Sequence, residues 1–125
     1  MSPAGTTKEN GASVPERRKE VRVPIDNVTV EVYTPQGVPA SREVCDMVNI
    51  SVGGMLFRAL RPYDIGQMVR LTFTIQESPA PVHAGAKVVH WHVAPNGKFV
   101  GVQFGDLGVS ERMAVEKYVK RMQDD

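Results

Sequence analysis

The segment VRLTFTIQ at residues 69–76 decides the fold class. Large apolar side chains occupy every second position in it, and polar side chains occupy the positions between. This period of two is typical of a β-strand with one buried face, whereas a helix would repeat its apolar residues three and four positions apart. The segment therefore predicts a strand that packs against a hydrophobic core.

Similar patterns continue outward in both directions from this segment. Breaks rich in glycine and proline separate them, and Asn96-Gly97 is a strong hairpin signal. No alternation of strands with helices appears, so a run of antiparallel strands in a barrel or a sandwich is expected. The predicted strands are 28–33, 44–50, 55–58, 69–76, 82–93 and 99–104.

The parity of apolar residues predicts which face each strand buries. In 44–50, Val44, Val48 and Ile50 share one face, and Cys45 and Met47 share the other. In 82–93, one face is predicted to hold Ala84, Ala86 and Val88, and the other to end in Val89, Trp91 and Val93. Residues 49–54 are interpreted as a tight loop between two strands.

A helix is predicted to follow the last strand, over residues 109–123. Ser110 is a plausible N-cap, although no Glu or Gln follows at the position that would complete a capping box. An apolar stripe at helical spacing predicts that this helix docks on the barrel. The stripe consists of Val115, Tyr118, Val119 and Met122.

Composition indicates one folded domain. The chain has 125 residues, of which 42% are hydrophobic and 23% charged, and its net charge of +1 does not favour a nucleic acid polymer as partner. Cys45 is the only cysteine, which excludes an intramolecular disulfide and a cysteine metal cage; a buried thiol is expected. Residues 1–15 are predicted to be a disordered tail, and no signal peptide or membrane span is visible, so a cytoplasmic protein is expected.

The first candidate binding element is a short arginine cluster made of Arg17, Arg18 and Arg22. The guanidinium group is a planar fork of donors that matches a guanine edge or phosphate oxygens, and its plane can stack on a purine. Two such groups in a flexible segment could close over a compact guanine ligand. By itself the cluster also fits a solvated run of charge.

The second candidate binding element is the motif Asn49-x-Ser51-x-x-Gly54. Asn49 and Ser51 can hydrogen-bond a base edge or a phosphate, and Gly53 and Gly54 permit a tight turn and close approach of a ligand. Taken alone, the motif is equally typical of an ordinary β-turn.

In combination, an RxxxR cluster, a hairpin and an NxSxxG motif before a short strand resemble the PilZ domain family. The C-terminal part is similar too: Val88-Val89-His90-Trp91 lies in a long strand, and Val100-Gly101-Val102-Gln103-Phe104 and a helix follow. The resemblance implies a mainly all-β fold, a six-stranded antiparallel barrel with a C-terminal helix and a flexible N-terminal arm. It assigns residues 16–123 to the domain and 16–22 to the arm.

The resemblance also implies a ligand, cyclic di-GMP, and no catalytic residue, metal or further cofactor. The arm would wrap the nucleotide and engage an unidentified partner protein in a motility, pilus or polysaccharide system. Asn replaces the commoner Asp at position 49, which removes a charge-assisted bond to guanine. Arg17 could serve a second, intercalated nucleotide. The predicted ligand-binding residues are Arg17, Arg18, Arg22, Asn49, Ser51, Gly53, Gly54 and Trp91, the last of which could instead pack on the barrel.

Other functions remain open on the sequence alone. A PilZ-fold interaction module that does not bind nucleotide is the main alternative, and a small barrel for single-stranded nucleic acid would need more exposed aromatic residues than 6% suggests. His90 and His92 share a strand face, but a third metal ligand is not evident beside them or beside His83. No nucleophile with a recognisable base is apparent, so an enzyme is not expected.

Overall fold

The computed structural model describes residues 21–35 and 41–124. The predicted tail at 1–15, the arm residues 16–20 and the predicted turn residues Gln36-Gly37 lie outside this part of the chain. The described elements are β1 (Val23–Pro24), β2 (Thr29–Thr34), β3 (Ser41–Ile50), β4 (Gly54–Ala59), β5 (Met68–Phe73), β6 (Val82–Ala94), β7 (Gly97–Phe104) and α1 (Val109–Asp124).

Six of these strands close into an antiparallel barrel. The strand order is β3-β2-β5-β6-β7-β4, and β4 pairs back onto β3, so the sheet has no open edge along this path. The remaining strand, β1, adds two residues to the free side of β3, where Val23 faces Ile50 and Pro24 faces Asn49. The mainly all-β barrel with one C-terminal helix that the sequence predicts is therefore confirmed.

The interior of the barrel is filled by alternating side chains, as the period of two requires. The segment at residues 69–76 buries all four of its apolar residues, although β5 ends at Phe73 and Ile75 reaches the core from the turn that follows. The largest fully buried side chains are Phe57, Ile25, Ile50, Met55, Leu71, Val30, Val32, Val69, Val82, Val88, Val100 and Val102.

The predicted faces of β3 are wrong, because the strand contains a β-bulge. Its pairing with β4 shifts between Met47 and Asn49, so Val48 is an extra residue. One extra residue reverses the face of everything beyond it. Cys45, Met47 and Ile50 are consequently all buried, while Val44 is 68% exposed.

The Glu43 carboxylate holds the connection between β4 and β5 against the barrel. It accepts hydrogen bonds from the backbone N–H groups of Leu60 (2.6 Å) and Arg61 (3.4 Å) and from the Tyr63 hydroxyl (2.9 Å). Burial, together with this bond, raises the pKa of Tyr63. Burial also raises the pKa of the Cys45 thiol, which is 2% exposed, as expected for an inert cysteine.

The helix α1 packs on the barrel through its apolar stripe, as predicted. Ala114, Val115, Tyr118 and Val119 are buried, and the Tyr118 hydroxyl donates to the carbonyl of Pro24 in β1 at 3.1 Å. Ser110 is not the N-cap, because the helix already begins at Val109 and the Gly108 carbonyl accepts from the Arg112 N–H. None of the helices in the described residues is long and apolar enough to cross a membrane.

The β6–β7 hairpin turns one residue earlier than the Asn-Gly signal predicts. Ala94 faces Gly97, so Pro95 and Asn96 form the turn. Gly97 follows it with a φ of 129°, and a Cβ there would lie 2.5 Å from the Ala59 carbonyl oxygen. The glycine is needed for its backbone conformation and for this close approach.

Phe57→Ala should lower the free energy of unfolding by about 3–5 kcal/mol, because it empties the centre of the barrel. Phe57 is fully buried and meets Tyr63 edge to face at 5.8 Å. Val44→Ala is the control, since that valine is 68% exposed and its change should stay within about 0.5 kcal/mol. Urea unfolding measures both; equal losses would contradict this account of the core.

Candidate functional site

The turn between β3 and β4 is organised by the Ser51 hydroxyl. The Oγ atom accepts from the N–H groups of Gly53 (3.2 Å) and Gly54 (3.1 Å), and it donates to the Gly54 carbonyl at 3.4 Å. Ser51 is fully buried. Its hydroxyl is thus engaged inside the turn, where it positions the backbone of Gly53 and Gly54.

The two glycines allow the turn to sit tightly against β7. The Gly53 carbonyl accepts from the Phe104 N–H at 2.9 Å. A Cβ at Gly54 would collide with the carbonyl oxygen of Val102. The predicted loop at 49–54 is accordingly shorter in the structure, where Asn49 and Ile50 still belong to β3 and Gly54 begins β4.

The bulge in β3 turns Asn49 to the outside of the barrel. Because Ile50 fills the interior, its neighbour Asn49 points outward and is partly exposed. Its Oδ1 atom accepts from a guanidinium nitrogen of Arg22 at 3.1 Å. Arg22 directly precedes β1, which pairs with the end of β3 and so brings the arginine to this place.

Six of the eight predicted residues can be located. The structure brings Arg22, Asn49, Ser51, Gly53 and Gly54 together at one end of β3. Arg17 and Arg18 lie outside the described residues. The sixth, Trp91, lies elsewhere.

A second β-bulge, in β6, turns His90 to the outer face of the barrel. The pairing of β6 with β7 shifts between Val88 and His90, so His90 faces Gly101 across the ladder. The imidazole lies directly on Gly101, where a Cβ would collide with the ring. Since Asn49 pairs with Leu56 and Leu56 with Gly101, one row across four strands carries Asn49, Leu56 and His90 on the outer face.

The adjacent outward row contributes a cation and two more rings. Arg58 faces Phe99, which faces His92. The Arg58 guanidinium lies 5.8 Å from the Phe99 ring centroid and 4.0 Å from the Asp46 carboxylate. His92 meets Phe99 edge to face at 5.2 Å and stacks parallel to His90 at 6.4 Å. We call the two rows together the outer platform: Asn49, Leu56, Arg58, His90, His92 and Phe99.

Trp91 lies on the opposite face of the hairpin from the outer platform. It pairs with Val100, which is fully buried, so the indole continues the inner row of side chains beyond the barrel. The Lys98 ammonium lies over its ring at 4.6 Å, and 41% of the residue is exposed. Trp91 therefore neither packs on the barrel, as the alternative interpretation expected, nor stands beside Asn49.

The outer platform suits a flat ligand that bears negative charge. The guanidinium groups of Arg22 and Arg58 can pair with phosphate oxygens or stack on a purine, and the rings of His90 and Phe99 offer further flat surface. Asn49 supplies an amide that both donates and accepts. Among residues 21–35 and 41–124, no three histidine, cysteine or carboxylate side chains are placed to hold a metal ion.

The predicted ligand-binding residues did not include Arg58, His90, His92 or Phe99, although His90 and His92 were expected to share a strand face. Their position on the outer face beside Asn49 depends on the bulge at Val89 and on the strand register, and neither is visible in the spacing of residues. The one usable signal was the run of polar and aromatic side chains next to the hairpin turn, which is unusual for a strand that closes a core.

Three features together define one class of domain. They are a barrel that β4 closes, a buried serine in the turn before β4, and an arginine that β1 brings to that turn. The family model described as PilZ domain matches residues 16–121, and the chain belongs to this family. No curated protein matches the chain significantly in sequence.

Solved structures with the same fold have low sequence identity to the chain. The inhibitor of motility MotI/DgrA of Bacillus subtilis is 18% identical with a TM-score of 0.73, over 86% of this chain and 51% of that one. The PilZ domain of Escherichia coli YcgR, solved with c-di-GMP, is 13% identical with a TM-score of 0.65, over 86% and 92%. The MrkH–c-di-GMP complex of K. pneumonia is 12% identical with a TM-score of 0.67, over 86% and 52%. The chain thus spans about half the length of MotI/DgrA.

Gly54→Ala should destabilise the domain by about 1–3 kcal/mol, because the added methyl group meets backbone that cannot move aside. Gly85→Ala is a matched control, since it lies in β6 and a Cβ there has open space within 4 Å. Thermal and urea unfolding compare the two variants. A Gly54→Ala protein as stable as Gly85→Ala would contradict the close approach of the turn to β7.

Proposed function

We propose that the protein is a receptor for cyclic di-GMP. Membership of the PilZ family and the c-di-GMP complexes of YcgR and MrkH support this proposal. The observation that carries it is the bond from Arg22 to Asn49, because it joins the two motifs that the ligand would require. This bond lies at the rim of the outer platform.

The chemistry of recognition follows from the groups at this rim. Arg18 and Arg22 would bind guanine edges and phosphates, with Asn49 on the guanine face of the barrel. The ligand would then compete with the Arg22–Asn49 bond or bridge it. Because an amide lacks the charge of a carboxylate, Asn49 should bind the guanine N–H groups more weakly than aspartate would.

The turn residues act as a scaffold in this proposal. Ser51 holds the N–H groups of Gly53 and Gly54, so its loss would shift the loop on which Asn49 depends. We also propose a receptor without catalysis, because the Ser51 hydroxyl, the one hydroxyl of the turn, is buried and occupied within it. Cyclic di-GMP would be the ligand, with no cofactor.

Ligand binding would act by ordering the arm, residues 16–22, against the outer platform. A ligand shifts such an equilibrium only by its differential affinity for the two states, and here the arginines supply that difference. The ordered arm and nucleotide together would form a new surface for a protein partner. We place this event in the cytoplasm, in a motility, pilus or polysaccharide system, as the name of MotI/DgrA suggests for motility.

Arg22→Ala should weaken cyclic di-GMP binding by about 1–3 kcal/mol, or roughly 5- to 150-fold. Arg42→Ala is the matched control: this arginine is also exposed, but it pairs with Glu31 at 2.9 Å and lies over Tyr33, away from the outer platform. Isothermal titration calorimetry compares the variants with the parent protein. A folded parent that does not bind would favour an interaction module independent of nucleotide.

Arg17→Ala tests the stoichiometry. If Arg17 serves a second, intercalated nucleotide, the parent should saturate at two ligands per chain and the variant at one. Hydrogen exchange of residues 16–22 with and without ligand then tests ordering of the arm. Saturation of the parent at one ligand would contradict the role given to Arg17, and unchanged exchange would contradict the ordering.

A further inference from the structure

The strand β6 continues beyond the barrel with one edge unpaired. It pairs with β5 only as far as Lys87, which faces Met68, and Val88 exchanges hydrogen bonds with Gly66 (2.7 Å) and Gln67 (2.9 Å). From residue 89 onward its partner is β7 alone. Within the described residues, no backbone hydrogen bond joins the other edge of 89–94 to another segment.

This edge lacks the lysine and proline that protect many native edge strands, and the one feature that works against pairing is the bulge at Val89, at the end nearest the barrel. Native edge strands carry lysine or proline, or are covered by other segments. The segment 89–93 has neither residue, and it exposes Val89 (38%), Trp91 (41%) and Val93 (74%). Valine and aromatic residues are also the residues that pair best across strands.

The sequence of the segment is symmetrical about Trp91. It is Val89-His90-Trp91-His92-Val93, the same in either direction. In an antiparallel pair of two copies with the two-fold axis at Trp91, each valine faces a valine, each histidine a histidine, and the two indoles meet. A self-complementary patch of this kind is what a two-fold interface requires.

The faces of the hairpin agree with this pairing. Trp91 lies on the inner face, where Val93 pairs with Lys98 and the Lys98 ammonium covers the indole. The two imidazoles stack on the outer face. A second copy would therefore extend an apolar strip on the inner face and a row of imidazoles on the outer face.

We propose that this edge binds a second copy of the chain, by antiparallel pairing of residues 89–93 centred on Trp91. The inference goes beyond nucleotide binding and does not depend on it. A strand from a different protein could hydrogen-bond to the edge as well, but only a second copy of the chain would match each residue type across a two-fold axis. Because the contact is short, the dimer is weak and forms in the micromolar to millimolar range.

Sedimentation velocity of the full chain from ~10 µM to ~1 mM should show the mass rise from 13.7 kDa toward twice that value. Trp91→Lys should abolish the rise, because two ammonium groups would meet at the axis. Val44→Lys is the control: that valine lies on β3, is 68% exposed and faces Glu31 of β2, and its change should leave the association intact. A constant monomer mass, or a dimer that survives Trp91→Lys, would overturn the proposal.

Disulfide cross-linking tests the register. Trp91→Cys should form a covalent dimer on oxidation, whereas Val44→Cys should not; the native Cys45 is buried and gives no background. Val89→Cys and Val93→Cys should cross-link with each other when mixed and not when alone. Self-linking of either variant, or a mixture that does not link, would show a different register and overturn the pairing.

Discussion

The structure depends on the double pairing of β4. This six-residue strand is hydrogen-bonded to β3 on one side and to β7 on the other, which turns an open sheet into a barrel. It can enter that position only because the turn before it is tight and Gly54 has no side chain to strike the Val102 carbonyl. The Ser51 hydroxyl holds the same turn closed. Closure of the barrel and placement of Asn49 beside the outer platform are thus one structural event.

The two β-bulges explain what the sequence could and could not predict. The strands could be predicted from the alternation of apolar and polar residues, because burial of alternate side chains is the main constraint on such a sheet. A bulge breaks that period by one residue and leaves no mark in the composition. This is why the faces of β3 were predicted wrongly and why the outward position of His90, in the same row as Asn49, was not predicted.

The motifs were more informative than the periodicity at the site itself. An arginine cluster and an NxSxxG turn, each ordinary alone, indicated one site, and Arg22 does contact Asn49. Only the structure shows that Asn49 points outward while Ser51 holds the turn, because the burial of Ser51 cannot be inferred from its residue type. Arg58 and Phe99 were beyond reach for a similar reason: they join the outer platform through strand register. The motif residues of the site could thus be predicted from the sequence, whereas their neighbours on adjacent strands could not.

The hydrogen bond from Tyr118 to Pro24 links the helix to the strand that follows the arginine arm. The two residues are 94 positions apart. At a translation rate of about 5–20 residues per second, the ribosome needs roughly 5–20 s to make the helix after it has made β1. During that interval the hairpins of the barrel can form and β1 can pair with β3, but the Pro24 carbonyl has no Tyr118 hydroxyl to accept from. The contact between the first described strand and the last element of the chain is therefore among the last to form.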